Sequence, residues 1–134
     1  MAKKIAIAIL AMVVISKMTM PVSARTIGYF EDFVVYFSGT DSNDKYTSWI
    51  TKKVTNRDAV VNLSETTANG KNITVLMRNA NGEVRGSTTL NVGTRKQFAS
   101  TGVAYYEYRL GMRKTYNYDG LTATLYGSWS PDYK

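Results

Sequence analysis

The sequence predicts an all-β protein: an antiparallel two-sheet β-sandwich of about six strands after a cleaved N-terminal signal peptide, with a small β-barrel as the competing architecture. Three observations carry this. Six segments alternate apolar and polar residues with period two, as half-buried strands do. The dipeptides Asn69-Gly70, Asn81-Gly82 and Asp119-Gly120 fall between them and supply the positive φ that tight hairpins require. After residue 24 no segment sustains a capped 3.6-residue period, which leaves little or no helix.

Residues 1–24 come first and set the compartment. Lys3 and Lys4 precede an unbroken apolar run from Ile5 to Ile15, and a more polar stretch ends in Val22-Ser23-Ala24. Eleven apolar residues at ~1.5 Å each reach about half-way across a ~30 Å hydrocarbon core. A short apolar run with a small-residue exit is a signal peptide rather than an anchor. The predicted product is a single domain over 25–134, secreted, extracellular and without a transmembrane span. Processing would leave 14 Lys+Arg against 10 Asp+Glu, a net charge of +4 instead of +7. That excess favours anionic partners such as lipid headgroups, wall polymers or wall precursors; export argues against nucleic acid.

The strands follow in order. Phe33, Val35 and Phe37 share one face of the first run, and Ala59, Val61 and Leu63 one face of the second. Ile73, Val75 and Met77 line the third. Val84, Gly86, Thr88, Leu90 and Val92 line the fourth, and Ala104, Tyr106, Tyr108 and Leu110 the fifth. Leu121, Ala123, Leu125 and Trp129 line the last. With six strands, two three-stranded sheets packed face to face is the simplest arrangement. Residues 39–56 stand apart as a polar, turn-rich loop holding Trp49, either an exposed ligand anchor or a plug at one end of the sandwich.

Catalytic signatures are scarce. The chain has no His and no Cys, which removes the usual serine and cysteine triads and the ordinary zinc ligands. No G-x-S-x-G elbow occurs, so a non-enzymatic protein without a cofactor is expected. Asp41-Ser42-Asn43-Asp44 offers oxygen ligands but matches a calcium loop only at Asp41 and Asn43; an Asx turn is the plainer reading. Glu31 and Asp32 read as a solvated strand entrance.

The most suggestive set is aromatic and basic. Tyr105, Glu107 and Arg109 would face outward on one strand and Tyr126 on another, with Arg113, Lys114 and Tyr116 in the turn that joins them. Arginine and tyrosine together recruit anions and sugar rings through charge-assisted hydrogen bonds, cation–π contact and stacking. Tyr105, Arg109, Arg113, Lys114, Tyr116 and Tyr126, with Trp49, form the candidate binding set; cross-strand pairing of β-formers explains the same pattern without a ligand.

Three stretches carry a resemblance. Ala59-Val60-Val61-Asn62-Leu63-Ser64 is similar to the W-K-V-N-L-S strand of a family of small secreted proteins of Gram-positive bacteria. Arg109 to Tyr116 resembles that family's R-L-x-x-x-N-x-x-Y stretch, and Tyr126-Gly127-Ser128-Trp129-Ser130-Pro131-Asp132 its G-x-W-S-P-D tail. In architecture the chain also resembles the lactococcin 972 group of bacteriocins. The resemblance implies export and antimicrobial antagonism of neighbouring cells by binding a wall precursor. It departs at Ala59, where the family has Trp, and at Arg113 and Lys114, where the family's turn is rich in Asn. It supplies no catalytic residues. Two functions are thus expected to compete: a bacteriocin-like or envelope-binding protein, and a structural module (matrix, coat or adhesion component) associating through sheet edges.

Overall fold

A computed structural model describes residues 25–37, 44–64, 71–116 and 122–134. Among them there are nine strands and no helix: β1 Gly28–Val35, β2 Lys45–Tyr46, β3 Ile50–Thr51, β4 Ala59–Leu63, β5 Asn72–Arg78, β6 Val84–Asn91, β7 Arg95–Phe98, β8 Glu107–Lys114 and β9 Ala123–Ser130. They form two open antiparallel sheets, ordered β1-β9-β4-β7 and β2-β8-β5-β6, with β3 also on the edge of β8. This is a sandwich and not a barrel. The expected signal peptide, the Asp41–Asn43 stretch, Asn69-Gly70 and Asp119-Gly120 lie outside the described residues.

All six alternating runs hold a strand, and their inward residues meet in one core. Val35, Val61, Leu63, Ile73, Val75, Met77, Leu110, Met112, Leu125 and Trp129 are buried there together. Three strands depart from the expected set, making four- and five-stranded sheets instead of two of three. β7 is Arg95-Lys96-Gln97-Phe98, a charged edge strand burying only Phe98, so it carries no alternation to read. β2 and β3 are two-residue pieces of the polar loop, tied to β8 by backbone pairing.

Bulges explain where the inward faces change phase. β9 pairs Leu125 with Phe33 and then Gly127 with Phe30, so β1 holds one extra residue. Asp32 sits at that bulge with φ 49°, a left-handed conformation that Asp tolerates. The extra residue brings Phe30 onto the core beside Phe33, with ring centroids 5.3 Å apart; strict alternation would put them on opposite faces. A second irregularity pairs Met77 with Gly86 but Arg78 with Val84. Val84 is therefore exposed, contrary to its expected inward place. Phe37 (43 % exposed) lies past the end of β1. Tyr106 (64 % exposed) lies in a turn ahead of β8 and is not core.

The turn dipeptides divide. Asn81-Gly82 closes the β5–β6 hairpin, with Gly82 at φ 81° and the Asn79 side-chain carbonyl accepting from the Asn81 and Glu83 amides. β4 and β5, and likewise β8 and β9, lie in different sheets. Gly127 has a packing role: a Cβ there would lie 2.0 Å from the Asn62 carbonyl oxygen, so only glycine lets β9 pass this close to β4.

Candidate functional site

The sheet assignment redistributes the predicted binding residues. β8 places Tyr108, Leu110, Met112 and Lys114 on its buried face and leaves Arg109 and Arg113 on the other. Arg113 is thus a strand residue and not part of a turn. Lys114 is also in the strand and is buried; its amide donates to the Tyr36 carbonyl. It cannot join an exposed basic ledge, because the strand runs on to Lys114, four residues past the end of the expected run at Leu110, and its alternation turns Lys114 inward. Tyr126 is exposed on β9, in the opposite sheet. Tyr116 is exposed just after β8, and Tyr105 is exposed in the turn before it.

What does assemble on the outer face of the second sheet is a different set. The loop carrying Trp49 runs along the edge of β8, with Tyr46 opposite Gly111 and Ile50 opposite Tyr108. This brings the Tyr46 ring 4.0 Å and the Trp49 ring 4.6 Å from the Arg109 guanidinium carbon. Both distances are well within cation–π range. Gly111 makes room for it: a Cβ there would stand 2.9 Å from the Tyr46 ring and 3.0 Å from Asp44 Oδ2. Trp49 is 39 % exposed, so it covers Arg109 from outside and does not plug the sandwich. The buried Arg109 Nε has no hydrogen-bond partner.

Neighbouring charges set the electrostatics of this face. Arg113 donates to Asp44 Oδ1 at 2.9 Å, and that carboxylate is buried. Asp44, part of the loop considered for calcium, thus has one oxygen committed to an arginine. Among the described residues no three His, Cys, Asp or Glu side chains gather as a metal site. Arg78 lies directly across from Arg109 on β5 and donates to the Gly82 carbonyl at 2.6 Å.

Tyr126 and Asp32 form a separate pair. The Tyr126 hydroxyl donates to Asp32 Oδ1 at 2.7 Å, so the bulge that positions Asp32 also gives it a partner. That hydrogen bond, and then the carboxylate charge, push the phenol above its ordinary value of 10.0.

Sequence reading missed the centre of the polar framework. Lys52 and Asp132 are both fully buried and 3.3 Å apart. Lys52 Nζ also donates to the carbonyls of Arg57 (2.6 Å) and Pro131. The Asp132 carboxylate accepts the amides of Lys53 at 2.7 Å and Val54 at 3.1 Å. Ser130 Oγ accepts the Asp132 amide. Burial pulls the Lys52 ammonium below its ordinary value of 10.5, and the Asp132 charge opposes this. The W-S-P-D tail was the only signal available: Trp129, Ser130, Pro131 and Asp132 are all buried, and two of them, Pro131 and Asp132, grip Lys52 or the chain beside it. The main chain at Lys52 holds the neighbouring turn in its turn, donating to the Tyr106 carbonyl and accepting the Tyr105 amide.

Comparison with protein-family models, with curated proteins and with solved structures finds no match to this chain.

Proposed function

We propose that the protein is exported and acts without catalysis, as a bacteriocin-like binding protein that engages anionic cell-envelope material through the outer face of its second sheet. The observation that supports this is the Arg109 guanidinium set between Tyr46 and Trp49 and opposite Arg78. Arg113 is matched by Asp44 and Arg85 by Glu83, and Arg109, stacked between two rings, carries the cationic character on which the reading rests. Rings flanking a guanidinium hold it in place, so little rotamer entropy is lost when it meets a phosphate or carboxylate.

The test is co-sedimentation of the purified protein with Gram-positive cell envelopes and with phosphatidylglycerol vesicles, at low and high salt. An arginine near an anionic surface contributes about 1 kcal/mol, so Arg109→Gln should weaken binding roughly fivefold. Salt should weaken the wild type in the same sense. Equal binding by the variant, or binding that salt does not touch, refutes the reading. A growth-inhibition assay on related strains then decides whether binding has an antagonistic outcome.

The free side of β6 favours a second reading, a structural module. Among the described residues, β6 pairs along its length with β5 alone; on its other side it meets the chain only at the Gly86–Ser100 bridge and where the Lys96 ammonium donates to the Thr89 carbonyl at 3.2 Å. An open edge of this kind accepts a strand from a second copy. Concentration-dependent sedimentation together with absent envelope binding would put this reading first.

A further inference from the structure

A cleft of about 380 Å³ opens between the β5–β6 turn and the chain leading into β8. Its size falls within the ~300–1,000 Å³ of small-molecule sites. Val103 and Tyr106 form an exposed apolar and aromatic wall, and Asn81, Glu83, Arg85 and Glu107 supply the polar groups. Two of these are committed to each other: Arg85 Nη2 donates to Glu83 Oε1 at 3.0 Å, and Asn79 Nδ2 donates to the same oxygen at 2.8 Å. The Glu107 carboxylate has no such partner among the described residues. The cleft therefore offers one open carboxylate, an amide and a tyrosine ring, with little net charge.

The aromatic wall is held in advance. Tyr105 has φ 73°, a left-handed conformation that is strained for a bulky side chain. Four hydrogen bonds keep the turn there. The Tyr105 amide donates to the Lys52 carbonyl at 2.8 Å, and the Lys52 amide to the Tyr106 carbonyl at 2.9 Å. The Ala104 amide donates to Thr55 Oγ1 at 3.0 Å and the Val103 amide to the Tyr108 hydroxyl oxygen at 2.7 Å. Backbone strain maintained by that many contacts fixes the presentation of the next residue, Tyr106.

We infer that this cleft is a saccharide subsite, with a neutral sugar ring stacked on Tyr106 and its hydroxyls shared between Glu107 and Asn81. A carboxylate and an amide together accept from and donate to vicinal hydroxyls, and the face of a sugar ring is apolar enough to lie on an aromatic wall. A phosphate or carboxylate ligand is disfavoured, because Glu107 would repel it and Arg85 is already matched by Glu83. The subsite does not depend on the arginine face, and the two are separable by salt: the sugar contact is uncharged and should persist where anion binding fades.

The experiment is an amide-resolved NMR titration of the purified full chain at high salt. Cellobiose, lactose and diacetylchitobiose serve as saccharide probes, and tetramethylammonium chloride as a cation probe. At least one disaccharide should shift the amides of Asn81, Val103 and Glu107 together. Tyr106→Ala and Glu107→Gln should each bind it about tenfold more weakly. Both positions are exposed, and unchanged dispersion elsewhere in the spectrum verifies folding. No shift with any disaccharide overturns the inference. So do shifts that both variants retain, or equal shifts produced by tetramethylammonium, which would make the cleft a cation site.

Discussion

Removing the Asp132 carboxylate is the most demanding test of how this fold is fastened. Asp132→Ala leaves the Lys52 ammonium fully buried and takes the acceptor away from three donors: Lys52 Nζ and the amides of Lys53 and Val54. Breaking a buried pair by deleting one partner costs about 3–5 kcal/mol, chiefly because the other charge stays behind uncompensated. For a small protein the urea slope is about 1–3 kcal/mol per molar, so the midpoint should fall by roughly 2 M. Urea unfolding followed by tryptophan fluorescence reads this directly, since Trp129 is buried three residues away. The double variant Lys52→Met/Asp132→Ala removes the stranded charge as well. It should be more stable than the sum of the two single losses by about 0.5–3 kcal/mol. A cost below about 1 kcal/mol for Asp132→Ala, or strict additivity in the cycle, would show that the pair is not the fastener described.

Three further outcomes are expected. Leu125→Ala, a truncation at a fully buried site between the sheets, should cost about 2–5 kcal/mol in the same urea assay; a loss near zero would mean that the register of β9 is wrong. The pH dependence of Lys52 follows from its lowered value: above that value and below 10.5 the unfolded chain binds more protons at this group, so stability rises with pH there. Measured across that window, wild type should gain relative to Lys52→Met, and a relative loss would contradict the desolvation assigned to it. Mass spectrometry of the exported product should find an N-terminus at or near Arg25, whose side chain reaches the Tyr133 carbonyl; a full-length species held in the membrane would refute processing at Ala24.

The alternating strands were legible because each has one wet and one dry face, and composition records that difference directly. Ile73, Val75 and Met77 illustrate it: all three are fully buried, with half-exposed neighbours between them. β7 was not legible, since a charged edge strand buries too little to impose a pattern. Which sheet each strand joins was also hidden, because alternation identifies a buried face without naming the partner strand. That gap separated Tyr126 from Arg109. It also concealed the contact between Arg109 and the rings of Tyr46 and Trp49, which depends on pairing across some sixty residues of chain. Lys52 is the sharpest case. A lysine reads as solvated, and nothing near it in sequence announces a carboxylate 80 residues away.

The framework and the candidate surface are physically linked at one point. Lys52 is gripped through its ammonium by the C-terminal tail, while its main chain holds the turn that carries Tyr105 and Tyr106. The same loop, three residues earlier, places Trp49 over Arg109. Loosening the tail should therefore disturb both the cleft wall and one ring of the arginine clamp before the core itself opens, because loops held by a few polar contacts exchange at lower free energy than packed strands. Hydrogen exchange separates these levels. In Asp132→Ala, the amides of Lys53, Val54 and Tyr105 should become nearly unprotected, while those of Val75 and Met112, which lie in the central strands, should fall only by the global loss and stay protected. If Lys53, Val54 and Tyr105 keep their protection alongside Val75 and Met112, the tail stabilises the molecule only globally, and the surface owes nothing particular to the buried pair.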